Sequence, residues 1–449
     1  MANNKDYLII GAGITGLCVA YELSKANKDF LLIEREDKVG GNIKSITVDG
    51  YNLELGPNSF LETPELTALI DELGLTQRLV APKAAANSQY IVRDKKPHKV
   101  PKDPISAINT PIFSTGAKLR VLMEPFIAPN QVKGESLAAF MERRVGREVV
   151  DYALAPFVSG IYAGDANRLE ARSSFPNLYN MEAEYGSIFK GFTAKAKDNK
   201  RKGIKKKKRR QFVFMGGLRV LPEALAGRFR NNLLLDAFPK EIKRNPDGTY
   251  NVTINNNGQD TDYTVKHLIL ATPAPVASLL LKYVSAKVSE YLSKIEYGKV
   301  VVVHTGFDES AIVNRIEAFG DLIPPKEGFT LLGTVWSSAA YEDKAPAGKI
   351  LLTNMVSGKA IDKSPQEIID IVLDELNTLF GLRGAPEMVH VTKYDNAIPQ
   401  YNIGYADIIA HIAQEMPPNL YLCGNYIGGI ATGECVKNGL RLGKELAEK

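Results

Sequence analysis

The chain sets a glycine-rich turn between an apolar run and a helical pattern at both of its ends, and this pairing constrains the fold more than any other feature. At the start, Gly11-Ala12-Gly13-Ile14-Thr15-Gly16 follows Tyr7-Leu8-Ile9-Ile10 and opens a segment, Ile14 to Lys25, whose Leu17, Ala20, Tyr21 and Leu23 share one helical face. Gly11 permits the tight turn, Gly13 lets a phosphate approach the backbone, and Gly16 lets helix and strand close up. A second apolar run, Phe30 to Ile33, ends at Glu34, near the roughly 20-residue offset at which a carboxylate accepts a ribose hydroxyl. These parts make a βαβ unit that seats a dinucleotide pyrophosphate on a helix N-terminus. Near the finish, Gly424-Asn425-Tyr426-Ile427-Gly428-Gly429 lies between the strand pattern Asn419-Leu420-Tyr421-Leu422 and a segment, Ala431 to Glu448, that is helical in period despite Gly433, Gly439 and Gly443. Cradles at opposite ends predict one long cofactor gripped from both termini.

At 449 residues the chain is too long for one ordinary core, so two or three domains are expected. Met1 to Asp6 is short and polar, unlike a leader peptide. The longest nearly apolar stretch, Leu268 to Leu281, is broken by Thr272, Pro273, Pro275 and Ser278 and falls short of the ~18 apolar residues of a spanning helix. The expectation is a cytoplasmic protein, either soluble or peripheral on the inner face of the cell membrane. Cys18, Cys423 and Cys435 have no metal or redox spacing and read as buried fillers in a reducing compartment. His98, His267, His304, His390 and His411 are equally scattered, so neither a metal site nor a Ser-His or Cys-His nucleophile is expected.

Charge is placed unevenly. Residues 195–210 hold eleven lysines and arginines against Asp198, on a chain whose net charge is only +5, so the remainder is net acidic. Such a run is a solvated loop on one reading, because like charges repel and form no core. On a second reading it attracts anionic lipid, at about 1 kcal/mol per basic residue near the surface. Nucleic acid is not expected, because no aromatic side chains interleave with the charges to stack bases.

Between the cradles, Lys38-Val39-Gly40-Gly41-Asn42-Ile43 forms a double-glycine turn, and Glu54-Leu55-Gly56-Pro57-Asn58-Ser59 forces a bend. Thr63 and Pro64 fit the cap and first position of a helix ended by Gly74, and Tyr90-Ile91-Val92 reads as a strand. From about Pro101 to Gly203 the pattern is helical, clearest over Gly116 to Phe126 and Ser136 to Arg147, whose amphipathic faces suit either a core or a membrane surface. Phe212 to Leu218 returns to strand, Tyr250 to Ile254 and Tyr263 to Val265 form a hairpin, and His267 to Leu270 reads as another buried strand. Return to nucleotide-type strands so late implies a discontinuous cofactor domain with the substrate region inserted.

In order and spacing these residues resemble the protoporphyrinogen oxidase family, within the larger group of FAD-dependent amine oxidase-like proteins. The first cradle, Glu34 and Gly40-Gly41 are shared by the larger group. More specific are Glu54 to Ser59, Pro156-Phe157-Val158-Ser159-Gly160-Ile161-Tyr162-Ala163-Gly164-Asp165, Phe175-Pro176, Tyr185-Gly186-Ser187, Met215-Gly216-Gly217, Ala397 to Tyr401 and Gly424 to Gly429. The resemblance implies a multidomain α/β (α+β) fold: a discontinuous Rossmann-like FAD domain of the p-hydroxybenzoate-hydroxylase type over 1–85, 211–275 and 396–449, a substrate domain over 86–94 and 276–395, and a helical, membrane-binding insertion over 95–210.

It also implies an activity, the six-electron oxidation of protoporphyrinogen IX to protoporphyrin IX in heme biosynthesis, with oxygen as acceptor and hydrogen peroxide released. Oxidation of coproporphyrinogen III to coproporphyrin III is the nearest alternative, and a catalytically silent flavin-binding scaffold or porphyrin carrier the alternative of another class. Cofactor contacts are then expected at Gly11, Ala12, Gly13, Ile14, Thr15 and Gly16, at Glu34 and Arg35, at Gly40, Gly41 and Asn42, at Gly56, Pro57 and Asn58, and at Gly424, Asn425, Gly428, Gly429 and Ile430. Gly160, Leu322 and Val335 resemble the family's substrate contacts, Met355 falls where plant relatives place an aromatic ring, and Asn58 is the candidate for proton handling. Gln89 stands where some relatives carry an arginine that pairs with a substrate propionate, and a neutral amide makes no ion pair. With no lysine or arginine between Phe60 and Gln77, Gln89 favours the substrate with two carboxylates over the one with four. Arg93 is not read as a substitute. Lys205 to Arg210 are the expected contact with an anionic membrane.

Overall fold

Alternation along two short strands sets the first layer. Leu8, Ile10, Leu31 and Ile33 enter one core while Tyr7, Ile9, Phe30 and Leu32 enter another, so residues 7–10 of Asn3–Ile10 and all of Phe30–Ile33 are buried on both faces. That double burial is what parallel strands covered by helices require. The computed structural model describes residues 3–130, 132–203 and 209–449. Seven strands form this first sheet in the order Leu233–Leu234, Phe30–Ile33, Asn3–Ile10, Gln259–Leu270, Tyr250–Asn256, Ala237–Arg244, and Leu420–Leu422 adds in parallel to the end of Gln259–Leu270. Three distant stretches of chain thus build one sheet. His267 to Leu270, read from sequence as a strand of its own, is the last part of a 12-residue strand. The hairpin before it turns at Asn257 and Gly258, both at positive φ (50° and 85°), so pairing with Tyr250–Asn256 and with Asn3–Ile10 runs through one continuous segment.

A second seven-stranded sheet runs Met388–Pro399, Tyr297–Asp308, Lys349–Ser357, Leu331–Trp336, Gly320–Leu322, Gln89–Arg93, Lys96–Lys99. Val301, Val303, Trp336 and Leu352 on one face pack against Ile368, Val372 and Leu376 of the helix Pro365–Phe380, whose start is fixed by a capping box between Ser364 and Glu367. Lys96–Lys99, assigned from sequence to the helical insertion, belongs to this sheet. Asp94 and Lys95 turn the chain back at φ of 53° and 58°, the left-handed pair of a two-residue hairpin, without the Asn-Gly that usually announces it.

Helices dominate from Thr115 to Arg201. Ser114, Ser136 and Ser187 each cap one, accepting from the amides of Ala117, Ala139 and Lys190. Arg144 pairs with Glu124 with both side chains fully buried, and Glu124 also accepts from the Ser187 hydroxyl and the Ile188 amide, tying the helices together. Lys205, Lys206, Lys207 and Lys208 lie outside the described residues. Among the described residues no helix is long and apolar enough to cross a membrane. Cys18, Cys423 and Cys435 are free and buried, as the sequence suggests. Burial pushes the Cys423 thiol up to about 12 and the Cys435 thiol to about 11, so neither ionises readily.

One buried acid is left half-paired. Asp321 sits on the core face of the second sheet, where Oδ1 accepts weakly from Trp336 Nε1 at 3.4 Å and Oδ2 has no partner among the described residues. Desolvation raises its pKa to about 7, against about 3.9 for an unfolded aspartate. The folded chain therefore holds a proton that the unfolded chain loses, and stability falls as pH rises from about 4 to about 7. Asp321→Asn should be more stable than the parent, with a melting-temperature gap that widens over that range and is constant above it. A gap independent of pH would contradict this account.

Candidate active site

The first cradle is built as a stack of close backbone contacts. Gly11 has φ of 106°, and a Cβ there would stand 2.9 Å from the Ala271 carbonyl oxygen. A Cβ on Gly16 would fall 2.1 Å from the Gly11 oxygen, so the helix Ile14–Lys25 lies directly on the turn. Gly13 differs, because nothing lies within 4 Å of its Cβ position and its backbone faces open space. The Gly40 amide donates to the Ala12 carbonyl at 2.8 Å, and a Cβ on Gly41 would stand 3.3 Å from Gly13 Cα. Gly56 in turn lies against the Asn42 backbone. Four of the expected cofactor segments are thereby brought into one ladder: 11–16, 40–42, 56–58 and the strand ending at Glu34. The Glu34 carboxylate accepts from the Ala12 amide at 2.7 Å and the Glu36 amide at 3.1 Å, with acceptor capacity left for a hydroxyl. Arg35, by contrast, is exposed on the outer surface.

The second cradle meets the first. Helix Thr432–Ala447 packs in parallel on Ile14–Lys25, and its glycines make the approach possible: a Cβ on Gly439 would stand 2.5 Å from the Thr15 oxygen, and one on Gly443 2.7 Å from Glu22 Cβ. Gly433 does the same against Thr63, at 2.7 Å from Cγ2. The glycines that weaken this helix by propensity are the ones that dock it. Gly424, Gly428 and Gly429 have positive φ, and the loop is braced by the Tyr401 hydroxyl donating to the Asn425 carbonyl at 2.8 Å and by Asn438 donating to the Ile427 carbonyl at 3.2 Å. Ile430 is half-buried between the sheet core and the helical core.

Neither helix start carries a side-chain cap. Two uncapped N-termini aimed from neighbouring parallel helices supply amide donors and partial positive charge, the requirement of an anionic group such as a pyrophosphate. Thr272, just past the end of Gln259–Leu270, lies between Gly11 and Gly424, and its buried hydroxyl has no partner among the described residues. The donor set, the open face at Gly13 and this orphaned hydroxyl fit a dinucleotide cofactor. Sequence reasoning missed Thr272, for which the signal is the strand-ending Ala271-Thr272-Pro273.

A second group of expected residues converges on the other face of the second sheet. Leu322 is opposite Gly333, which is opposite Met355, and Val335 is opposite Gly320 and Thr353. All therefore project from the face away from the Trp336 core, and Gly333 leaves a gap between Leu322 and Met355. Helix Ala155–Tyr162 closes on this face, for a Cβ on Gly160 would stand 2.7 Å from Leu322 Cδ2. Phe157 and Ile161 share the helical face of Gly160 and remain 39% and 43% exposed, giving the second apolar wall. Their spacing around Gly160 is the signal that sequence reading passed over. Asn58 is half-buried, and its side chain bonds to nothing among the described residues.

Gln89 is opposite Gly320 and Arg93 lies four residues on, so both face the slot side of their strand. Alternation from Tyr90 therefore does not by itself remove Arg93 as a substitute for Gln89. Its partners do: the guanidinium donates to Glu148 at 2.6 Å and to the Ile112 carbonyl, and it lies 4.4 Å from the Tyr152 ring centroid.

The comparisons with known proteins agree with this geometry. A family model described as flavin containing amine oxidoreductase matches residues 14–445, and the chain belongs to that family of FAD-dependent oxidoreductases. Within it the chain belongs with the protoporphyrinogen and coproporphyrinogen III oxidases. It is 31% identical to the mitochondrial protoporphyrinogen oxidase of Nicotiana tabacum, over 97% of this chain and 93% of the relative. It is also 30% identical to the coproporphyrinogen III oxidase of Bacillus subtilis, over 97% of this chain and 96% of the relative. Among solved structures, a candidate protoporphyrinogen oxidase from Exiguobacterium superposes with a TM-score of 0.82 at 22% identity, each chain fully covered. A putrescine oxidase variant does so at 0.71 and 16% identity, again with both chains fully covered. These two establish the fold alone.

Gly439→Val tests the helix contact on which both cradles rest. The added side chain must displace the Thr15 backbone, an overpacking cost of roughly 1–3 kcal/mol that outweighs the few tenths regained in helix propensity. Denaturant unfolding should show that loss together with reduced flavin content. Unchanged stability would show that the helices do not need the close approach.

Proposed function

We propose that this protein oxidises protoporphyrinogen IX to protoporphyrin IX with bound FAD, reducing oxygen to hydrogen peroxide. Gly11 to Gly16, Glu34 and Gly40 to Asn42 would hold the pyrophosphate and ribose, and Gly56 to Asn58 with Gly424 to Ile430 the flavin end. Bound FAD supplies a hydride acceptor, which no side chain of the protein can replace. The protein's own contribution is an apolar surface of Leu322, Val335 and Met355 beside Phe157 and Ile161, with Gly160 seated against Leu322, suited to a reduced macrocycle. Met355 offers a soft thioether contact to a ring. Asn58, without a side-chain partner among the described residues, is assigned the hydrogen bond that receives or passes a pyrrole N–H proton.

The observation that carries the choice of substrate is the strand Gln89–Arg93: Gln89 is neutral, and Arg93 is committed to Glu148. A macrocycle with two carboxylates suits such a wall better than one with four. Purified protein given each porphyrinogen in air should release protoporphyrin the faster, followed by its fluorescence. Faster formation of coproporphyrin would transfer the assignment to coproporphyrinogen III, and no porphyrin from either would leave a flavin-binding scaffold.

We further propose a peripheral association with an anionic membrane on the cytoplasmic side. Leu122, Met123 and Phe126 are 68%, 54% and 80% exposed. The helix Ile188–Arg201 starts beside them, with Phe189 and Phe192 exposed, and ends in basic residues. Sedimentation with anionic vesicles should fall with added salt and fall again in a Leu122→Ser/Phe126→Ser variant. Sedimentation indifferent to both changes would return this face to ordinary surface.

A further inference from the structure

We propose that Lys344 is a positioning residue: through a buried ion pair with Glu54 it fixes the 55–58 segment against the second sheet and keeps the surroundings of the flavin ring electrically neutral. The inference rests on the reading that Gly56 to Asn58 face the flavin. Lys344 Nζ donates to Glu54 Oε1 at 2.7 Å, with each side chain only 5% exposed. The other Glu54 oxygen accepts from the Ser45 hydroxyl at 2.5 Å, and the carboxylate also accepts from the Leu218 amide at 3.2 Å. The Lys344 carbonyl accepts from the Asn52 amide at 3.1 Å, so both ends of Lys344 grip the hairpin formed by Ser45–Val48 and Tyr51–Glu54. That hairpin leads directly into Leu55-Gly56-Pro57-Asn58. Lys344 belongs to the connection between Leu331–Trp336 and Lys349–Ser357, the strands carrying Val335 and Met355. One ion pair thus joins the segment expected on the cofactor to the wall expected on the substrate.

His304, two residues from Val302 on the slot face, completes the joint. Its Nε2 lies 3.1 Å from the Glu54 carbonyl, which can only accept, so Nε2 carries the proton and Nδ1 the lone pair. Burial lowers its pKa to about 4, and it adds no charge at neutral pH. A buried ion pair contributes little net stability, and apolar replacements are often neutral or stabilising, so packing alone does not call for one here. Removing one partner, however, would leave a bare charge at the base of the 55–58 segment that would face the ring. An uncompensated Lys344 favours the anionic reduced ring, and an uncompensated Glu54 opposes it.

The test is the flavin midpoint potential of the purified holoproteins. Glu54→Gln should raise it, Lys344→Met should lower it, the Glu54→Gln/Lys344→Met double variant should restore it, and Lys344→Arg should leave it unchanged. Should Lys344→Met not retain flavin, Glu54→Gln against the double variant makes the same comparison. Potentials that stay constant, or that move in one direction in both single variants, would overturn the inference, because loosened packing has no sign. A parent protein that purifies without flavin would instead overturn the reading on which it rests.

Discussion

The contact between the first and last helices is the constraint on which the site depends. Helix Ile14–Lys25 and helix Thr432–Ala447 come from opposite ends of the chain, yet they touch along Gly439 and Gly443 at a distance no side chain would permit. That approach points two uncapped N-termini the same way, with the start at Thr432 reaching more than a turn beyond the start at Ile14. The first sheet repeats the logic at the level of strands, for Asn3–Ile10 and Leu420–Leu422 both pair with Gln259–Leu270. Everything between the ends is free to build something else.

What it builds is a sheet with two unlike faces. One packs on the helix Pro365–Phe380 and is an ordinary core, apart from the half-paired Asp321. The other carries Leu322, Val335 and Met355 toward the helix of Gly160, with few charges of its own. Charges near it are held in pairs, Arg93 with Glu148 and Lys344 with Glu54. A hydride acceptor beside an apolar slot needs orientation and exclusion of water more than a strong acid or base. Among the described residues, the pairing of the charged groups near that face suits the proposed chemistry.

Much of this was legible in the sequence because local rules suffice for it. The turn at Gly11 to Gly16, the acid at Glu34 and the cap at Thr63 follow from backbone sterics and hydrogen bonding within a few residues. The expected slot residues were reached through resemblance, and their common face appears only with strand register. Other features depend on distant partners. Gly439 and Gly443 read as flaws in a helix until their neighbour is present. Lys344 is one charged residue among many until Glu54, 290 positions away, is found beside it. The hairpin at Asp94 and Lys95 escaped because left-handed turn positions were filled by residues other than glycine.

The central claim is that the two ends of this chain together hold a flavin that takes hydride from a porphyrinogen lying in the apolar slot. Its most direct test is a single turnover without oxygen. Mixing the yellow holoprotein anaerobically with protoporphyrinogen IX should bleach the flavin band in proportion to enzyme, and admitting air should restore the band as porphyrin fluorescence grows. A flavin band that persists through anaerobic mixing would contradict the account.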